Sequence, residues 1–257
     1  MRIVRTVAEL RETLEPLRAG ELGLVPTMGA YHAGHVALFA AARSENDAVV
    51  ASLFVNRTQF TEEGDFARYP RDEEADRRTA ERAGVDVLFA PPAEELYPPG
   101  FQTWVDVEQL SRPLEGAFRP GHFRGVATIC LKLFNLVRPD RAYFGQKDAQ
   151  QVAVVKRMVR DLELGLEIRV VPTVRDPDGL ALSSRNALLS PEERGRALAL
   201  PRALETRDPA EARRLLEGLE VDYVEEADLD GMRVLAGAVR VGSTRLIDNV
   251  LLEGDPT

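Results

Sequence analysis

The chain has 257 residues, 44% of them hydrophobic and 29% charged, with a formal net charge of −9 at pH 7 and a single cysteine. That is apolar material for one large or two modest domains, with no run of roughly 18 apolar residues to cross a bilayer and no secretory h-region, so a soluble, cytoplasmic protein is expected. One cysteine excludes an intramolecular disulfide, and the acidic balance excludes general affinity for nucleic acid or anionic membranes, so an anionic ligand must be met by local cations.

In chain order, the first informative element is an apolar strand predicted over 23–26, followed by a helix predicted over 34–43. Between them runs Thr27-Met28-Gly29-Ala30-Tyr31-His32-Ala33-Gly34-His35. Two imidazoles three residues apart at a strand-to-helix turn, with glycines that let the backbone close in, suit phosphate at a helix N-terminus. There they can donate to phosphoryl oxygens as charge builds in a transition state. A zinc reading of His32 and His35 lacks the cysteine cluster or HExxH pattern that would accompany it. The third histidine, His122, lies in another glycine-rich turn.

A second buried strand is predicted over 48–55 and delivers Asn56 and Gln59 at its carboxyl end. Amides there both donate and accept, which suits a hydroxy acid, although a loop-capping pair would look the same. Residues 61–65 form a polar loop with one glycine, a helix is predicted over 72–83 and a strand over 86–89. The glycine-punctuated stretch 114–126 carries Arg119, His122 and Arg124. It reads either as an anion clamp or as a solvated turn whose arginines pair with surface acids. Next come a helix over 125–137, with Cys130 as a small buried hydrophobe, and a strand over 142–144.

The turn Gly145-Gln146-Lys147-Asp148 then leads into a helix predicted over 149–162, with Val152, Val155, Val159 and Leu162 marking one face and Gln151 in its first turn. Lys147 is one of only three lysines, the other 30 basic residues being arginine. A lysine in a polar turn of such a chain fits a need for a compact, rotatable ammonium, although arginine richness from genomic or thermal bias would give the same pattern. A strand over 167–171 completes the alternation. After a turn at 176–179, Leu182-Ser183-Ser184-Arg185 offers two hydroxyls and a fixed cation, the parts needed to hold a triphosphate. Ser190-Pro191 starts a further helix as cap and first-turn residue, and strands are predicted near 221–225, 233–241 and 245–250.

Strands alternating with helices predict an α/β fold, a Rossmann-like parallel sheet over residues 1–175, with ligands beyond the carboxyl ends of the strands. Residues 176–257 are read as a small C-terminal α+β domain.

Taken together, the blocks 25–35, 52–60, 69–71, 114–151 and 172–186 resemble, in order, the pantoate–β-alanine ligases (pantothenate synthetases), HxGH members of the nucleotidyltransferase superfamily. The resemblance covers the N-terminal part and is weak across the C-terminal part, where residues 221–225 are the main echo. It implies a two-step reaction. ATP and (R)-pantoate give pantoyl-adenylate and pyrophosphate, and β-alanine then attacks the acyl carbon to give pantothenate and AMP. Carried over by position, Met28, Gly29, Ala30, Tyr31, His32, Ala33, Gly34 and His35 line the ATP site, with His35 as proton donor. His32 and Lys147 share the catalytic role. Gly145, Gln146, Lys147, Asp148, Val174, Leu182, Ser183, Ser184 and Arg185 complete the ATP site. Gln59 and Gln151 hold pantoate, Gln59 also standing near β-alanine. The resemblance further implies Mg²⁺ with the nucleotide, no protein-bound metal site, and a homodimer.

Three positions depart from the family pattern. Arg57 replaces a common proline and is expected to loosen the loop before Gln59. Tyr31 replaces leucine, and Ala149 replaces an aromatic, removing bulk beside the Lys147 turn. Two rivals use the same turn: a nucleotidyltransferase acting on a phosphorylated acceptor, and a nucleotide-binding module without turnover. The two glutamines favour a hydroxy acid over the first, and intact His32, His35, Lys147 and Arg185 disfavour the second.

Overall fold

The computed structural model describes residues 1–254. The chain opens with β1 (Arg2–Val4) and α1 (Val7–Leu14), the latter started by a reciprocal Thr6–Glu9 capping box. It continues through β2 (Leu22–Thr27), α2 (Ala33–Glu45), β3 (Ala48–Leu53), α3 (Glu63–Arg68), α4 (Glu73–Arg82), β4 (Val87–Phe89) and the short α5 (Ala93–Leu96) and α6 (Glu115–Phe118). Then follow α7 (His122–Val137), β5 (Arg141–Gly145), α8 (Ala149–Asp161) and β6 (Glu167–Val171). The six strands form one parallel sheet in the order β1-β4-β3-β2-β5-β6.

Both faces of this sheet are covered, which is why its strands read as unbroken apolar runs rather than alternating ones. Leu24, Val50, Phe89 and Phe144 face a core with Leu10 and Leu14 of α1, Phe134 of α7 and Met158 of α8. Their neighbours Val25, Val49, Ala51 and Leu88 face the opposite core with Phe39 and Ala42 of α2 and Ala80 of α4. Successive strands run outward from β2 in one direction through β3, and from β5 in the other through β6. The crevice between the ends of β2 and β5 is therefore the switch point, where open α/β sheets take their ligands.

The last third contains α9 (Pro191–Ala197), α10 (Ala199–Glu205), α11 (Pro209–Leu215) and an antiparallel sheet of β7 (Glu220–Asp228), β8 (Arg233–Val241) and β9 (Thr244–Glu253). Ser190 caps α9 with Pro191 in the first turn, as predicted, and Glu193 closes a capping box. One face of the sheet packs on α10 and α11 through Leu200, Leu204, Ala212, Leu235 and Val239. The other carries Tyr223, Val234 and Ala236 against Leu114 and against Ala149 and Ala153 of α8. The small side chain at 149 is thus part of the seam between the two sheets.

Some boundaries differ from the sequence reading. The strand predicted over 48–55 ends at Leu53, and Leu162 lies beyond α8 and is 48% exposed, so it does not extend the buried face. Helix α7 starts three residues early, making His122 its first residue rather than a turn residue. β1 and α1 have no counterpart in the sequence reading; three residues are too few to register a strand period.

Candidate active site

Helix α2 begins with two histidines capping each other. His32 is the N-cap in extended backbone, and its Nδ1 accepts from the Gly34 N–H at 3.1 Å. His35 Nδ1 in turn accepts from the His32 N–H at 3.3 Å. This is the logic of a capping box with imidazoles in place of hydroxyl and carboxylate. An Nδ1 that accepts leaves the proton of a neutral imidazole on Nε2, so both rings are fixed as Nε2–H donors. Burial, with Lys147 nearby, lowers the His32 pKa to about 4; burial, His32 and Lys147 lower that of His35 to about 3. Both are neutral at pH 7. Gly34 is required by proximity, since a Cβ there would lie 2.8 Å from His32 Cε1.

The turn before them is held from α4. Buried Asp76 accepts from Ala30 N–H at 2.9 Å and Tyr31 N–H at 2.7 Å, and Gly29 at φ +84° brings the backbone over its carboxylate. The Tyr31 ring lies against His35 and Phe39, and its hydroxyl and that of Thr27 are 3.0 Å apart. Tyr31 therefore buttresses His35 from behind.

Across the switch point, Gln146–Asp148 is a 3₁₀ turn between β5 and α8. Lys147 Nζ lies 3.7 Å from Asp148 Oδ1 and is largely shielded. The Gln146 side chain turns away from the crevice and donates to Asn249 Oδ1 of β9 at 3.1 Å.

Gln59 closes the third side. Its Oε1 accepts from Asn56 Nδ2, which also donates to Gly125 O, and its Nε2 lies 3.1 Å from Met28 Sδ. Asn56 thus fixes the loop and orients Gln59 at once. The Gln59 carbonyl accepts from His122 Nδ1 at 2.8 Å and from Arg119 Nη2 at 3.3 Å. Burial and Arg119 lower the His122 pKa to about 3, so the ring is a neutral Nδ1–H donor. Arg119 faces the cleft, whereas Arg124 stacks on Trp104. Of the two arginines only Arg119 lines the cleft, and its guanidinium is paired with Glu115. Glu115, beside Arg119, accepts both Arg245 amino groups and the Tyr223 hydroxyl, tying this loop to β7 and β9.

Residues 182–185 roof the crevice. The Leu182 N–H donates to Val174 O at 3.0 Å, and Ser183 Oγ accepts from Arg185 N–H. The Arg185 guanidinium pairs with Asp65 of α3 and lies over the Tyr69 ring. Arg57, expected to loosen the loop before Gln59, makes contacts on the segment that follows it. It donates to Phe60 O, pairs with Glu63 and stacks on Phe66.

These segments enclose a cleft of ≈ 240 Å³ lined by Met28, His32, Gly34, His35, Gln59, Gly145, Lys147, Asp148, Gln151, Val174, Leu182, Ser183, Ser184 and Arg185. Of the residues singled out from sequence, Gly29, Ala30, Tyr31, Ala33 and Gln146 do not line it. The first three are occupied with Asp76 and the back of His35, Ala33 opens α2, and Gln146 faces β9. Cys130 is buried in the core as expected and forms part of the cleft floor, its thiol pushed up to about 12 by burial. Asp76, Arg119, His122 and Asn249 were not assigned from sequence. Arg119 and His122 carried a signal, as a cation and the third histidine of the glycine-punctuated stretch 114–126; Asp76 and Asn249 carried none. Among the described residues no helix is long and apolar enough to cross a membrane.

The family described as pantoate-beta-alanine ligase matches residues 2–251. The pantothenate synthetase of Moorella thermoacetica is 52% identical, over 98% of this chain and 99% of the relative. A solved pantothenate synthetase from Thermus thermophilus superposes with a TM-score of 0.92 at 48% identity, covering 97% of this chain and 99% of the other. A pantoate-beta-alanine ligase from Francisella tularensis, solved with beta-gamma ATP and β-alanine, gives 0.88 at 35% identity over 100% of both chains.

Proposed function

The chain belongs to the pantoate–β-alanine ligase family, and from that membership we propose that the cleft over β2 and β5 is the site of both steps of its reaction. The enzyme condenses (R)-pantoate with β-alanine, converting ATP to AMP and pyrophosphate, through a pantoyl-adenylate. One observation carries the assignment of the cleft. The mutual caps of His32 and His35 lock two neutral Nε2–H donors at the switch point, opposite Lys147 and Arg185.

In the first step a pantoate carboxylate oxygen attacks the α-phosphorus in line, and the bond to the bridging oxygen of pyrophosphate breaks. The protein aligns the two and stabilises charge on the phosphates and the leaving group. His32, His35, Lys147, Ser183, Ser184 and Arg185 are the donors for this. Neutral histidines donate without adding repulsion to the nearby ammonium. Gln59 and Gln151 hold the pantoate hydroxyls and carboxylate, and the Val174–Leu182 backbone holds the base. In the second step the β-alanine amine attacks the acyl carbon, AMP leaves, and the amine sheds a proton. Water would hydrolyse the mixed anhydride, so residues 61–65 and α3 serve as cover.

Mg²⁺ enters with ATP in this reading. Among the described residues no group of three or more His, Cys, Asp and Glu gathers as a resident site, and Asp148 supplies a carboxylate in the cleft. That donor set fits a cation carried mainly on phosphates, the usual manner of Mg²⁺. We further read residues 1–175 as the catalytic domain and 176–257 as a small domain completing the ATP site, supported by the separate cores of the two sheets. On the family resemblance, the enzyme is a cytoplasmic homodimer, which light scattering on the purified protein tests. The test of the whole reading is product analysis: AMP and pyrophosphate should form only with pantoate present, and pantothenate only when β-alanine is added. ADP and phosphate as products would overturn it.

A further inference from the structure

The Lys147 turn is not held by caps of its own. The 3₁₀ turn Gln146–Asp148 has no side-chain cap at Gly145, and α8 has none at Asp148, whose backbone is at φ −100°, ψ 51°. Gly145 ends the β5–β6 ladder opposite Val171, and a Cβ there would meet nothing within 4 Å, so no side-chain packing continues past it into the turn. What does bond the turn comes from the other sheet, about a hundred residues away. Asn249 of β9 is 5% exposed, and its Nδ2 donates to Gln146 O at 3.0 Å and Lys147 O at 2.9 Å. Its Oδ1 accepts from Gln146 Nε2 at 3.1 Å.

Asn249 is itself held. Its N–H lies 2.8 Å from Oδ1 of Asp248, a buried carboxylate that receives both amino groups of Arg175 at 2.6 and 3.1 Å. The amide thus has both its donor and its acceptor engaged on one turn, from a backbone tied to a half-buried ion pair.

We propose that Asn249 is a positioning residue for Lys147: it sets the carbonyl geometry of the turn, and so the point from which the ammonium reaches the phosphates. It touches no substrate. This rests on the role given to Lys147 in the preceding section. Only an amide does the job in this space. A carboxylate of the same shape would place oxygen against two carbonyl oxygens, and alanine would leave those carbonyls and Gln146 Nε2 short of partners.

The experiment is pantoate-dependent exchange of labelled pyrophosphate into ATP by wild type, Lys147→Ala, Asn249→Ala, Asn249→Asp and the Lys147→Ala/Asn249→Ala double variant. A misplacement of about 1 Å is enough for a loss on the order of 10²-fold. Asn249→Ala should lose up to that in maximal exchange rate with little change in the KM for ATP, and Asn249→Asp should lose more. In the Lys147→Ala background, Asn249→Ala should cost nothing further, because the group it positions is gone. A merely structural asparagine would lower melting temperature and multiply its loss onto that of Lys147→Ala. Should Asn249→Ala not fold, Asn249→Ser, which keeps one donor, takes its place. A folded Asn249→Ala exchanging at the wild-type rate, or multiplying losses in the double variant, overturns the proposal while Lys147 stands. Wild-type exchange by Lys147→Ala overturns the Lys147 role, and the proposal with it.

Discussion

Arg185 and Asp65 meet in a two-pronged ion pair, Nη2 to Oδ2 at 2.8 Å and Nε to Oδ1 at 3.3 Å. The pair joins a residue assigned to the triphosphate with α3, the helix assigned to cover the intermediate. Both side chains keep some exposure, 24% and 33%, so the pair contributes on the order of 1 kcal/mol or less to stability. Asp65→Ala should therefore leave the melting temperature nearly unchanged while freeing α3. The expected outcome is wasteful turnover: AMP released per pantothenate formed rises, most at low β-alanine. Quantifying both products by chromatography checks it, and an unchanged ratio would detach α3 from water exclusion.

The buried histidines make a prediction about acid stability. Burial, first of all, lowers the pKa of His35 and His122 from 6.5 to about 3. Between those values the unfolded chain binds protons that the folded chain does not, so stability falls as pH drops from about 6.5 toward 3 and levels off below. Each such group contributes roughly 1.4 kcal/mol per pH unit within that window. Glu115 adds a lower window: burial opposes its ionisation, but Arg245 outweighs this and brings its carboxyl to about 2, so its contribution is lost between 4.5 and 2. Urea unfolding at pH 4.5 to 7 should give a clearly positive slope of stability with pH. His122→Asn should flatten that slope, and an equal slope in the variant would mean His122 is not buried neutral.

Gly125 lets α7 come against the loop that carries Gln59. A Cβ there would lie 2.6 Å from Thr58 O and 2.8 Å from Gln59 N, both backbone atoms that cannot swing aside. Gly125→Ala should cost about 1–3 kcal/mol of stability from overpacking. It should also push the Gln59 turn outward, raising the KM for pantoate more than that for ATP. Equal effects on both substrates would argue that Gln59 does not contact pantoate.

How far the sequence reveals this site follows from the range of its interactions. His32, His35, Lys147 and Gln59 are legible as candidates because each lies in the polar segment that follows a strand, where apolar periodicity breaks and a polar motif begins. Asp76 bonds the Ala30–Tyr31 turn from 45 or 46 positions away, and Asn249 reaches Lys147 across 102. In sequence the former is one acid among several on a charged helix, and the latter is one amide in a strand. Their roles exist only once β4 lies beside β3 and the second sheet docks on α8. The His32 cap is hidden for another reason: imidazole is not among the usual N-cap side chains. The partners of Arg57 were not legible either: loss of a proline reads only as freedom, whereas the replacing guanidinium finds a carbonyl, a carboxylate and a ring.

The two steps should be separable, because adenylation needs no β-alanine and the cleft can retain what it makes. With ATP, Mg²⁺ and pantoate alone, a retained pantoyl-adenylate runs backwards and labelled pyrophosphate appears in ATP. His35→Ala and Lys147→Ala each remove one preorganised donor, a loss of about 10²–10³ in rate. If they act mainly on the transition state, that loss falls on the exchange rate, with binding of a non-hydrolysable ATP analogue retained in part. Gln151→Ala should behave differently, weakening pantoate use well before ATP use, since it leaves a substrate group unpaired at a cost of about 1–3 kcal/mol. The contrast is the test, because a general disturbance of the cleft would move all three variants alike. Absence of pantoate-dependent exchange in enzyme that still makes pantothenate would remove the adenylate route. It would also remove the reason for two neutral histidines to stand locked at the end of β2.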